Sequence, residues 1–347
     1  MYYERMNLEP HWIDAFESVL RRCAIKSGDT VAILAETQSR AVLPELARHA
    51  CARVGARSFT LTLPTQPAHG VPIIRSTGAS TAIGQLAPVV HALGASTLVL
   101  DCTVEGLMHA PELPAILKAG ARVVYVSNEH PEALCRLVPG DGLEPMVKAH
   151  TKRMRATQLM RVTSNAGTDL RISLEGAIVG GNWGTTSRPG TMAHWPGGLV
   201  LAFPRAGSVN GSLVLGAGDA NLTFKQFIQQ PVTLVIENDY ITHIEGACLD
   251  AQLMREYLAA WGDKEAYAVS HVGYGLNAAA RFDSMAMFDK SDFNGTELRA
   301  VAGSFLYSTG ANETAGRHTA GHFDLPLKAC TVSLDGVEVV HHGVLVV

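Results

Sequence analysis

The stretch TAIGQLAPVVHALGASTLVLDC, residues 81–102, joins a helix-like segment (81–94) to a short, unbroken apolar run (96–102). Such a run has no polar face, so a strand made from it is buried on both sides, as in a parallel sheet covered by helices. The alternation continues in both directions. Upstream lie a helical pattern over Trp12–Ile25 (Ile13, Phe16, Val19, Leu20, Cys23), the run VAILAE (31–36), a helical LPELARHACARVG (43–55) and SFTLTLP (58–64). Downstream follow a helical segment from Pro111 to Lys118 and RVVYV (122–126). Residues 1–160 are expected to form an α/β domain, a mostly parallel sheet with helices on both faces.

From about residue 170 the pattern changes. DLRISLEG, GGLVLAFP, GSLVLG, PVTLVIEN, DYITHIEG and the terminal KACTVSLDGVEVVHHGVLVV are strand-like and separated by turn signals such as NDY, LDG and GAGD. LDAQLMREYLAAW (249–261) and FKQFIQQ (224–230) are the two helices expected among them. Residues 161–347 are therefore expected to form a mixed, largely antiparallel α+β domain. Between the halves, 142–160 carries Lys148, Lys152, Arg153 and Arg155. It is expected to be a connecting helix with a solvated basic face, a phosphate or nucleic-acid contact being the weaker reading.

Composition narrows the function classes. The chain has 347 residues, 47% hydrophobic and 17% charged, with 28 basic against 32 acidic side chains and a net charge of −4. That argues against disorder, and no Lys/Arg run marks a nucleic-acid or anionic-membrane binder. No stretch approaches the roughly 18 apolar residues of a membrane helix, and Glu4, Arg5 and Glu9 stand where a signal peptide would be apolar. The expectation is a soluble, cytoplasmic protein with no nucleic-acid or membrane partner. Six scattered cysteines without a CxxC fit free thiols of a reducing compartment. No P-loop, no G-x-S-x-G elbow and no C-x-x-C zinc framework is present.

The most metal-like string is GRHTAGHFDLPL (316–327). Its His322 and Asp324 are two residues apart, so in an extended segment imidazole and carboxylate project to the same side. With a distant histidine they make a two-histidine, one-carboxylate set of the kind that holds Fe(II). His318 and His322 have the i, i+4 spacing of a helical zinc pair, but Gly316 and Gly321 oppose a helix, leaving His318 solvated or supporting. In AVSHVGYGLNAAA (268–280), Gly273, Gly275 and Ala278 mimic a dinucleotide fingerprint. Such a fingerprint belongs at the first strand of a βαβ unit, not in a β-rich second half. His271, at the end of an apolar run before a glycine-rich turn, is the better use of that string. His109 follows an expected parallel strand, at the edge where α/β domains place functional loops, and is a loop histidine or a site residue.

Four strings in order carry a family resemblance. HWPGGLVLAFPRAGSVNGSLVLG (194–216), SHVGYGLN (270–277), GSFLYSTG (303–310) and TAGHFDLPL (319–327) resemble, over roughly 190–335, the P-x-G-E-V, A-E-x-G-I-G-x-N, G-T-x-H-x-A-x-G and S-x-x-H-x-D segments of the M29 metallo-aminopeptidases of the aminopeptidase T type. The departures are informative. Leu199 and His271 replace the two glutamates, and Leu306 replaces the histidine of the third segment. Two metal ions in one site need several carboxylates, and only Asp324 remains.

The altered pattern resembles the 2,5-dihydroxypyridine 5,6-dioxygenases of bacterial nicotinate and nicotine breakdown, which are built on the peptidase-like scaffold. That resemblance implies one Fe(II) per subunit held by His271, His322 and Asp324. It implies ring opening of a small aromatic N-heterocycle, 2,5-dihydroxypyridine, to N-formylmaleamate with both atoms of O2. It also implies His109 as an acid/base reaching the substrate, Ser308 as a small polar residue lining the pocket, and a homo-oligomer. Trp195, Phe305, Tyr307 and Phe323 flank the matched strings as apolar walls or as ordinary core aromatics. The competing expectations are a divergent M29-type hydrolase and an inactive small-molecule binding protein on the same scaffold.

Overall fold

The structure is a computed structural model that describes residues 7–66 and 80–346; Glu4 and Arg5 lie outside them. Contacts divide these residues into two units, one of 7–66, 80–140 and 183–197, the other of 141–182 and 198–346. The sequence expectation places a single boundary at 160, whereas contacts place it after 140 and return 183–197 to the first unit.

The first unit is a five-stranded, wholly parallel sheet in the order Arg57–Leu63, Thr30–Glu36, Leu98–Asp101, Arg122–Val126, Met192–Trp195. Alternate residues of each strand feed two cores. Val31, Ile33, Leu98, Leu100, Val124 and Val126 meet the helices Pro10–Arg22 and Val42–Arg53 on one face. Ala32, Leu34, Val99 and Val123 meet Leu93, Leu113 and Ile116 of the helices Ala87–Gly94 and Leu113–Lys118 on the other. The sheet is thus covered on both faces, as the apolar runs demand. In helix Pro10–Arg22 the buried Ala15, Phe16, Val19 and Leu20 form one stripe, and Pro10 occupies the first turn.

Two details differ from expectation. The helix expected over 81–94 begins only at Ala87, because Gly84 and Gln85 are left-handed (φ 56° and 59°). The fifth strand, Met192–Trp195, comes from the half assigned to the second domain, and Trp195 is wholly buried against Phe16.

Among the described residues the second unit contains a two-stranded antiparallel sheet, Ala220–Asn221 against Gln226–Phe227, and two large antiparallel ones. One has eight strands in the order Tyr240–Glu245, Val232–Glu237, Val209–Leu215, Asp169–Ser173, Leu159–Ser164, Cys330–Leu334, Val337–His341, Val344–Leu345. The other has five, in the order Asp324–Leu327, Phe305–Thr309, Val269–Gly275, Leu199–Phe203, Ile178–Asn182. The helix Leu143–Arg155 buries Val147, Thr151 and Met154, and Lys152, Arg153 and Arg155 complement the carbonyl end of its dipole. This is the connecting-helix reading of the basic segment.

FKQFIQQ does not form a helix. Lys225 is left-handed (φ 51°), Gln226–Phe227 is a two-residue strand, and the Asp250 carboxylate accepts from the Gln229 and Gln230 backbone N–H groups. Gly273 and Gly275 are not a phosphate loop. They lie inside a strand, where a Cβ on Gly273 would strike the Val200 carbonyl and one on Gly275 the Val301 carbonyl. Close backbone approach explains the G-x-G spacing.

Candidate active site

The five-stranded antiparallel sheet brings three strings of the sequence together. In its register His271 is opposite Ser308, and Ser308 is opposite Asp324. His322 lies two residues before Asp324, just outside the strand. Its Nε2 is 3.1 Å from Asp324 Oδ2, so the same-side geometry expected of H-x-D is realised. His271 Nε2 stands 3.7 Å from Asp324 Oδ1, and the two imidazole centroids are 6.1 Å apart. All three side chains are buried.

The backbone around this cluster is fixed from several directions. The His322 carbonyl accepts from Tyr257 Oη and Thr223 Oγ1, both at 3.1 Å. Phe323 N–H donates to Thr309 Oγ1 at 3.0 Å, and Leu222 N–H donates to the Asp324 carbonyl at 3.0 Å. Buried Arg317 bonds Asp239 (2.5 Å) and the Val269 carbonyl (3.1 Å), tying the segment that leads to His322 to the start of the His271 strand. Gly310 is needed at φ 110°, where a Cβ would meet the Gly321 carbonyl and His322 Nδ1.

The electrostatics centre on Asp324. Arg299, absent from the sequence reading, places Nη2 2.6 Å from Asp324 Oδ2, and Ser308 Oγ donates to Oδ1. Burial alone pushes this carboxyl up, but the Arg299 guanidinium, then His322 and His271, outweigh it and hold the group well below the usual carboxylate range. Ser308, expected to line a pocket, is therefore a partner of the carboxylate. Among the described residues no three His, Cys, Asp or Glu side chains are arranged to hold a metal ion, and both imidazoles are turned toward the Asp324 carboxylate. Asp324 Oδ2 already faces both Arg299 and His322, whereas Oδ1 accepts one hydrogen bond, from Ser308, and each imidazole offers one unprotonated nitrogen when neutral. Two imidazoles and one carboxylate in a buried site are donor types that a single divalent ion takes.

The positions where a second metal would need carboxylates are apolar. Leu199 and Leu306 are buried in the same sheet, paired with Gly275 and Gly273 respectively. Phe203 leans on the His271 ring at 5.3 Å between centroids. Phe323 packs on Tyr257 at 4.6 Å, and with Phe305, Tyr307 and Trp195 it is fully buried, so these aromatics are core residues. His318 is exposed. Thiol nucleophiles are disfavoured: burial pushes Cys23 up to about 11 and Cys51 and Cys135 up to about 12.

His109 belongs to the first unit, half-buried in the loop after the parallel strand Leu98–Asp101. That loop is organised by two buried carboxylates. Asp101 accepts from Thr103 N–H (3.0 Å), Thr103 Oγ1 (2.6 Å) and Leu107 N–H (2.8 Å), and Glu36 accepts from Val104 N–H (2.7 Å).

The chain is similar to known proteins along nearly its whole length. A family model of 2,5-dihydroxypyridine 5,6-dioxygenases matches residues 11–347. A protein of Pseudomonas putida strain KT2440 named 2,5-dihydroxypyridine 5,6-dioxygenase is 34% identical over 333 residues, 94% of each chain. A solved structure of 2,5-dihydroxypyridine dioxygenase from P. putida KT2440 superposes with a TM-score of 0.91 at 33% identity, covering 96% of both chains. Wild-type AmpT from Thermus thermophilus has a TM-score of 0.66 at 15% identity, covering 97% of this chain and 99% of its own, a likeness of fold.

Proposed function

The chain belongs to the 2,5-dihydroxypyridine 5,6-dioxygenase family, and on that footing we propose that it opens the ring of 2,5-dihydroxypyridine between carbons 5 and 6 at one Fe(II) held by His271, His322 and Asp324. Both oxygen atoms of O2 enter the product, N-formylmaleamate, so substrate and O2 combine without a further reductant. The observation that carries this reading is the buried convergence of two imidazoles on one ionised carboxylate, with leucines where a two-metal hydrolase would need more acids.

Fe(II), when bound, supplies the redox partner that O2 requires and a common point at which ring and O2 meet. Asp324 contributes the negative charge, kept ionised by Arg299, while Ser308 holds its other oxygen in place. His271, on the central strand of the five-stranded sheet, and His322, beside its edge strand, contribute neutral nitrogens, and burial keeps bulk water from the reacting groups. His109 is assigned the removal of the ring hydroxyl proton, work for which an imidazole is suited near neutral pH. Its loop follows a strand of the parallel sheet, the position at which α/β folds present functional side chains.

The test is anaerobic reconstitution with Fe(II), then addition of 2,5-dihydroxypyridine and air. Equimolar loss of the substrate's ultraviolet band and of O2 is expected. Iron-loaded protein that consumes neither overturns the assignment, and protein that takes zinc but refuses iron points to hydrolysis instead.

A further inference from the structure

The strand that carries His271 contains one residue more than its neighbour allows. Val269 is opposite Thr309 and His271 is opposite Ser308, so Ser270 has no cross-strand partner and the register shifts at that point. In an unbroken strand Ser270 and His271 would point to opposite faces. The bulge turns the serine hydroxyl back toward the imidazole, a re-aiming for which bulges near functional sites are suited. Ser270 Oγ lies 3.0 Å from His271 Nδ1 and 2.5 Å from the Ala311 carbonyl, and the serine is fully buried.

Proton counting then decides the roles. A hydroxyl has one hydrogen and the Ala311 carbonyl can only accept, so that hydrogen goes to Ala311. Ser270 Oγ must therefore accept from His271 Nδ1–H. The proton on Nδ1 leaves Nε2 with its lone pair, and Nε2 is the nitrogen that faces Asp324. We infer that Ser270, placed by the bulge, is a positioning residue that locks His271 in the tautomer whose Nε2 can receive a divalent cation. The purpose of the lock rests on the metal-ligand reading of His271 above; the lock itself rests on the hydrogen bonds alone.

The test uses the full chain labelled with 15N-histidine and stripped of metal, the His271 ring signals being assigned by their disappearance in His271→Ala. Long-range proton–nitrogen correlation should show the Nδ1–H form in the native protein and its loss or mixing in Ser270→Ala. Fe(II) and Co(II) affinity, measured anaerobically by chelator competition, should fall roughly 10- to 100-fold in Ser270→Ala. Ser270→Thr, which keeps the hydroxyl, should restore both tautomer and affinity. An unchanged tautomer in Ser270→Ala, native metal affinity in that variant, or a folded Ser270→Thr that behaves like the alanine variant overturns the inference. Native metal affinity in His271→Ala removes the purpose of the lock and the ligand set together, and the metal-free tautomer measurement distinguishes that result from a failure of the lock.

Discussion

Asp324 in the second unit and Asp101 in the first are both aspartates buried away from water, and their surroundings drive them in opposite directions. Asp324 faces a guanidinium and two imidazoles, and it stays a carboxylate far below the usual range. Asp101 faces only neutral donors, from Thr103 and Leu107, with Glu36 nearby; burial dominates and pushes it up to about 6. Dipoles can shape a loop around a carboxyl, but a full positive charge is needed to keep it ionised once water is gone. One environment holds a charge, and the other holds backbone in place.

Several variants would break or sharpen that contrast. The largest effect is expected from Asp324→Ala, which should abolish iron retention and turnover, read as metal content after desalting; full iron occupancy would remove Asp324 from the ligand set. His109→Ala should leave iron bound and slow turnover by roughly 10²–10⁴-fold, the contribution of a general acid/base. A native rate would return His109 to an ordinary loop residue.

Arg299→Gln leaves Asp324 buried without its strongest counter-charge, a change that typically costs about 3–5 kcal/mol. Denaturant unfolding of the metal-free variant should show that loss, and added divalent metal should recover much of it by replacing the missing positive charge. Equal losses with and without metal would mean that Arg299 acts through packing alone.

The smallest effect belongs to Asp101. Its carboxyl rises from 3.8 to about 6 on folding, so the folded protein binds the extra proton within that window. The associated stability is full below pH 3.8 and is lost as pH rises through about 6, a change of roughly 3 kcal/mol. Unfolding free energies between pH 4 and 7 should carry this slope in the native protein and lack it in Asp101→Asn.

The sequence revealed those parts of the site that depend on local geometry. His322 and Asp324 were legible because a two-residue spacing in an extended segment fixes the side to which both point. The parallel sheet was legible because apolar runs such as VAILAE admit only a doubly covered strand. Arg299 carried no such signal: it reaches Asp324 only after the chain has turned through Gly303 and paired two further strands. The strand Met192–Trp195 was missed because four residues hold too little pattern to show which sheet they join.

By itself, then, the amino-acid sequence determined the two kinds of sheet, the His-x-Asp donor pair and the loss of the acids that a second metal would need. The first two follow from residue type and spacing along one segment, and the third from the resemblance of four strings to the M29 peptidases. Tertiary structure alone decided the charge state of Asp324, the pairing of Ser308 with that carboxylate and the bulge that turns Ser270 onto His271. Those features depend on which strand lies beside which, and in what register. Register is a property of two strands at once, so no single stretch of sequence encodes it.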